Sequence, residues 1–242
     1  MNDYELKAWQ EVQQWRRKIL KRSNLMNRIA KTAQSKINEK IPEKVHKVFT
    51  EAVKSMVKAT LTGSSLITKK DKYDKPMALA EKDEKARNAM ETYRKMAVIE
   101  GAGTGAGGIF LGLADFPLLL SIKMKFLFEA ASIYGFNTKE YEERLFILYV
   151  FQLAFSSDEK RRETFMTIEN WEERKKELVD LDWQVFQQEY RDYIDLVKML
   201  QLIQGFGAVV GAYANYNLLD HLGETAMNCY RMRILTTPPA VY

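Results

Sequence analysis

The sequence predicts an all-α protein, a multi-helix bundle with two glycine-rich, close-packed helix segments and no β-sheet. Three observations carry that expectation. Apolar residues recur at three-, four- and seven-residue steps along most of the chain, the period of a helix with one buried face. No convincing run alternates apolar and polar residues as a half-buried strand would. Only five of the 242 residues are proline, and the abundant Ala, Leu, Lys, Glu and Gln are good helix formers.

The first helix is expected over 4–37, where Val12, Trp15, Ile19, Met26, Ile29 and Ala33 share a face and Arg16, Arg17, Lys18, Lys21, Arg22, Arg28 and Lys31 lie between them. A second begins at Ile41-Pro42, since proline suits a first helical turn. Its apolar face is Val45, Val48, Phe49, Ala52, Val53, Met56 and Val57; its other face is Lys40, Lys44, Lys47, Lys54 and Lys58, broken by Glu51. Such a helix either lies on a membrane surface or packs in a bundle with its lysines in water. Thr62-Gly63-Ser64-Ser65 and the run 69–76 have loop composition. A third helix is expected over 77–100, with Ala80, Ala86, Met90, Tyr93, Ala97 and Val98 on its apolar side.

The central stretch, 100–135, starts with a glycine-rich run and breaks at Ala114-Asp115-Phe116-Pro117. Asp115 can cap the next helix, and Pro117 fits its first turn. That helix is apolar nearly all round, with Ser121, Lys125 and Glu129 as a narrow polar stripe, so it belongs in a buried place. Gly135 suits the position just past its end. Asn137-Thr138-Lys139-Glu140 has the form of a capping box opening a helix to about 155. Ser156-Ser157-Asp158-Glu159 repeats that form and opens a charged helix to about 179. Another helix is expected from Asp182, then a second glycine run at 205–212, then a last helix over 213–235.

Small residues four apart, Gly103/Gly107, Gly108/Gly112 and Gly207/Gly211, let two helix backbones approach closely. Residues 199–219 are uncharged over a length that could span a bilayer, but Gln201, Gln204, Asn215 and Asn217 weaken insertion. The mean hydropathy of −0.35 favours a protein core instead. The two runs are therefore expected to pack against each other.

The net charge of +5 is uneven. Residues 1–75 hold 18 Lys and Arg against 8 Asp and Glu, a net +10, and the remainder a net −5. A basic part of this kind suits an anionic membrane surface, nucleic acid, an acidic partner or the acidic half of its own chain. One cysteine, Cys229, excludes an internal disulfide and suits a reducing compartment. The start lacks the basic and apolar regions of a signal peptide, which points to the cytoplasm.

The search for chemistry is mostly negative. Gly103-x-Gly105-x-x-Gly108 matches the dinucleotide fingerprint literally, but the fingerprint needs a preceding strand and 93–99 reads as helix. There is no phosphate-loop Gly-Lys-Ser/Thr. Two histidines and one cysteine do not build a typical zinc site. His221 and Cys229, eight apart on one helix, are separated by roughly 12 Å, too far for a nucleophile and its base. Glu100 and Asp115 bracket the glycine run and are the candidate catalytic acids, although capping or a buried ion pair also accounts for them. No metal and no cofactor is expected.

These residues carry a resemblance. Glu100-Gly101, the glycine run, Asp115 and Pro117, Tyr134-Gly135 and Glu143-Arg144 look like the EcsC family, as do Gly207, Gly211, Asn215, Tyr216, Ala226, Tyr230 and Arg233. The resemblance covers about 77–236. It implies a bacterial protein encoded beside the subunits of an ABC exporter, and it implies no reaction. The expected organisation is a basic helical region over 1–62, a linker over 63–76 and an EcsC-like helical domain over 77–236. The expected role is a non-catalytic accessory of an ABC transporter or of membrane protein processing at the inner face of the cell membrane, partnered by an anionic membrane surface or ABC transporter subunits and not by nucleic acid. A hydrolase using Asp115 or Glu100 in an apolar pocket and a structural homo-oligomer on the glycine faces are the alternatives.

Overall fold

A computed structural model describes residues 2–21, 43–63, 76–102, 116–156, 158–179 and 208–235, the side chains of 98–102, 158–159 and 208–218 apart. Eight helices stand among the described residues: α1 Asp3–Leu20, α2 Glu43–Thr62, α3 Leu79–Ala102, α4 Phe116–Tyr134, α5 Tyr141–Phe155, α6 Asp158–Glu169, α7 Trp171–Val179 and α8 Ala208–Ile234. The all-α expectation holds. None of the described helices is long and apolar enough to cross a membrane.

The most apolar helix is the centre. α4 packs against α2, α3, α5 and α8, and Phe126, Leu127, Phe128 and Ala130 are fully buried. Truncating Phe126, Leu127 or Phe128 to Ala should cost about 2–5 kcal/mol, the usual cost of an unfilled core site. Its stripe of Ser121, Lys125 and Glu129 is more open, as its spacing predicts. α3 runs antiparallel to α4: Lys82 reaches the Tyr134 carbonyl, while Ala97 packs with Leu119 and Ile122. α8 is antiparallel to α3, with Arg94–Asp220 near one end and Asp83–Arg231 near the other. α1 and α2 contribute Ala8, Trp15, Val45, Phe49, Val53 and Val57 to the same core.

Local chemistry sets the ends. Asn2 accepts from the Glu5 amide at 2.9 Å while Glu5 accepts from the Asn2 amide at 3.1 Å, a reciprocal cap. Gly135 has φ +95°, and the amides of Gly135 and Phe136 bond to Ser132 and Ala131 at the end of α4. That is the double-bonded glycine stop that such a conformation allows.

Several boundaries differ from the expected ones. α1 ends at Leu20 with Lys21 in extended backbone, short of the expected 37; residues 22–42 lie outside the described residues. Asn137 caps a turn and not a helix: its side-chain oxygen accepts from the Lys139 amide, its amide nitrogen donates to Glu140, and α5 starts only at Tyr141. The expected helix over 156–179 is two, because Asn170 closes α6 onto the Met166 carbonyl and offers its own carbonyl to Glu173 and Arg174. The Ser156 hydroxyl bonds back to the Gln152 carbonyl, and Ser157 lies outside the described residues. α8 begins at Ala208, inside the second glycine run, five residues before the expected start.

Candidate functional site

One end of the bundle gathers two buried polar networks. The first centres on Asp83, fully buried on α3. Its carboxylate accepts from the hydroxyls of Tyr134 at 2.5 Å and Tyr4 at 2.7 Å, and from Arg231 Nε and Nη2 at 3.0 and 2.7 Å. Arg231 also donates to Glu11 at 2.9 Å. Four helices, α1, α3, α4 and α8, are tied at one carboxylate. Burial, then the Asp83 charge and hydrogen bond, raise the Tyr134 pKa, which keeps the phenol a donor. Burial opposes the Arg231 charge, but its bonds to Asp83 outweigh this and raise its pKa.

The second network lies beside it. Arg233 near the end of α8 grips the buried Glu143 carboxylate with Nη1 and Nη2 at 2.6 and 2.7 Å. Its guanidinium lies between the rings of Phe136 and Phe146, 3.9 and 4.5 Å from their centroids. Arginine suits this place because its planar fork matches a carboxylate and its face stacks on rings. Arg233 also reaches Glu172, which Lys175 holds at 2.7 Å. That Lys175 bond leads in depressing the Glu172 pKa, so Glu172 is a fixed charge at neutral pH. Arg144 donates to the carbonyls of Leu61, Thr138 and Lys139, closing the end of α2 onto the turn before α5. Between α1, the α6–α7 corner and the end of α8 is a cavity of about 340 Å³. Trp9, Val12, Arg16, Trp171, Glu172 and Arg233 are among its lining residues. Arg16 and Glu169 pair at 2.5 Å on its wall.

The buried carboxylates of Asp83 and Glu143 are each matched by a hydrogen-bonded arginine, an arrangement that fixes helix positions and holds charge in place. Among the described residues no group of three His, Cys, Asp or Glu is placed to hold a metal.

The model of the EcsC protein family matches residues 6–235. The chain belongs to the EcsC protein family. The match begins far before residue 77, where the sequence resemblance starts, and so takes in α1 and α2. The chain is similar to "Protein EcsC" of Bacillus subtilis (strain 168), 55% identical over 97% of this chain and 98% of that protein. It is also similar to "Uncharacterized protein YdbA" of the same organism, 31% identical over 62% of this chain and 57% of that protein. No solved structure matches.

The structure brings Tyr134, Gly135, Glu143, Arg144 and Arg233 of the family pattern to this one end. Pro117 lies at the other end of α4, exposed in its first turn. Asp115, Gly103, Gly107, Gly108, Gly112, Gly207 and Lys40 lie outside the described residues. Glu100 and Gly101 sit in the last turns of α3, and Gly211 and Asn215 in α8, with their side chains outside the description. Sequence reasoning missed Asp83, Arg231, Lys82 and Tyr4. For Asp83 there was a signal: it is an acid three residues from Ala80 and from Ala86, on the apolar side of its helix.

α2 answers the question its pattern left open. Val45, Phe49, Ala52, Val53, Met56 and Val57 are buried in the core, with only Val48 of that face exposed. Lys44, Lys47 and Lys58 point to solvent, and Lys54 is half-exposed and bonded to Glu51 at 3.1 Å. It is a bundle helix with a lysine face in water.

Proposed function

We propose that this family member acts as a non-catalytic accessory protein at the inner face of the cell membrane, serving an ABC transporter or membrane protein processing. The observation that carries the reading is the lysine face of α2. Lys44, Lys47 and Lys58 are exposed and have no ion-pair partner among the described residues. Because the apolar side of α2, Val48 apart, is committed to the core, attraction would run mainly through charge and not through burial of that helix in the bilayer. Each lysine near an anionic surface contributes only about 1 kcal/mol, so binding is reversible and needs several of them together. The transporter connection is what the family resemblance implies, and the fixed ion pairs of Asp83 with Arg231 and Glu143 with Arg233 suit a scaffold.

Co-sedimentation with vesicles tests this. Binding to anionic vesicles is expected at about 0.05 M salt and should fall steeply by about 0.5 M, as the screening length shrinks. Lys44→Glu with Lys47→Glu should abolish it. Equal binding to neutral and anionic vesicles, or binding to neither, overturns the reading. Crosslinking in cells then asks whether transporter subunits are neighbours.

A further inference from the structure

Large apolar side chains that are more than a third exposed are few among the described residues, and three share one end. Met96 of α3 is 48% exposed, Leu118 of α4 45% and Val48 of α2 38%. Their chain neighbours fix the grouping. Ala97 packs with Leu119 and Ile122, so Met96 and Leu118 flank the same α3–α4 seam. Phe49 lies 5.6 Å from Phe116, ring centroid to centroid, which sets Val48 beside the start of α4. The exposed Pro117 adjoins Leu118. Around them stand Lys44, Lys47, Lys95 and Lys125, all exposed and without an ion-pair partner among the described residues. The exposed acids Glu43 and Glu91 only partly offset them.

We infer that Val48, Met96 and Leu118 are shallow anchors that enter the headgroup layer of an anionic bilayer, with the surrounding lysines on its phosphates. This rests on the membrane-surface reading above and adds its orientation and its apolar component. A protein partner fits the patch less well. Protein interfaces have a contiguous apolar core and are depleted in lysine. Here the apolar side chains stand on three helices, and exposed lysines follow or precede each of them by one, four or seven residues along its helix. In a headgroup layer that mixture is favourable, because lysine stems lie along apolar surface while their ammonium groups stay with water and phosphate.

The test uses the full chain and vesicles containing about a quarter phosphatidylglycerol in phosphatidylcholine. The variant Val48→Ser, Met96→Ser, Leu118→Ser is compared with Leu6→Ser, Met166→Ser, Val179→Ser, three exposed apolar positions elsewhere. The first should weaken binding about tenfold while keeping its salt dependence; the second should bind like the parent. A site-by-site readout does not depend on tolerating three changes. Cys229 is buried, with its thiol pKa raised by burial, so a cysteine placed at Val48, Met96 or Leu118 can be labelled alone with an environment-sensitive dye. Its emission should shift to the blue on anionic vesicles, and a dye at Met166→Cys should not respond. If the lysine variants lose binding while the serine triple and the dyes behave as the controls do, the anchors are wrong and the charge reading stands. If the parent binds no vesicle, both fall. If the triple instead dissolves a self-association seen by sedimentation without changing vesicle binding, the occupant is a second copy and the inference is overturned.

Discussion

Asp83 is the residue on which the most distant parts of the chain converge. Tyr4, Tyr134 and Arg231 all donate to its one carboxylate. Removing one member of a buried ion pair costs more than the pair is worth, since the survivor keeps its charge without a partner. Asp83→Asn should therefore destabilise the fold by about 3–5 kcal/mol, read as a lower urea midpoint. The double change Asp83→Leu with Arg231→Met should recover much of that loss, because both charges go together. An unchanged midpoint in Asp83→Asn would mean that the network does not form in solution. The signal for this residue lay in the sequence as an acid on an apolar stripe. Its partner did not, because Arg231 is 148 residues away and only packing makes them neighbours.

At the scale of helices, close approach is met at a glycine the sequence did not single out. Gly223 of α8 faces α3 and α4: a Cβ built there would come within 2.1 Å of Met90 Sδ and 3.7 Å of Phe126 Cζ. Small residues four apart drew attention to Gly207 and Gly211, whereas Gly223 has no small partner at that spacing. Gly223→Ala should be near neutral: a flexible methionine can move, and alanine gains about 1 kcal/mol over glycine in a helix. Gly223→Leu should overpack the seam and cost about 1–3 kcal/mol. Met90→Ala in the same chain should return part of it. If Gly223→Leu unfolds at the parent's midpoint, α3 and α8 are not tightly packed there. Helix existence was legible from periodicity; helix ends were less so. The Asn137 motif reads as a cap, yet Asn137 closes a turn because α5 starts one turn later.

For the molecule as a whole, one buried charge should show in the dependence of stability on pH. Lys123 lies fully buried in α4, and its Nζ has no hydrogen-bond partner among the described residues. Burial pushes its pKa from 10.5 down to about 8. Below pH about 8 the folded chain carries the ammonium at a desolvation cost. Between about 8 and 10.5 the unfolded chain binds more protons than the folded one, so this group makes stability rise with pH. The buried Cys229 and Tyr134, with raised pKa values, pull the other way at alkaline pH. The contribution of Lys123 is therefore read by difference. Lys123→Met should be more stable than the parent at pH 7, by up to about 3 kcal/mol, and the gap should close as pH approaches 10.5. A gap that does not change with pH would mean that the amine has a partner or reaches water.

The sequence by itself determined the fold class, the family and which face of most helices is buried. These are local properties: a side chain's face follows from positions three and four residues away, and that period survives any arrangement of the helices. The charge pattern of α2 was also local, and its lysines are where the period puts them. Tertiary structure alone decided what the period cannot carry. It paired Asp83 with Arg231 and Glu143 with Arg233, and it grouped Val48, Met96 and Leu118 at one end. It also turned a two-way amphipathic helix into a bundle helix. Each of these depends on the register of one helix against another, which comes from side chains interlocking across the core and leaves no periodic trace along the chain.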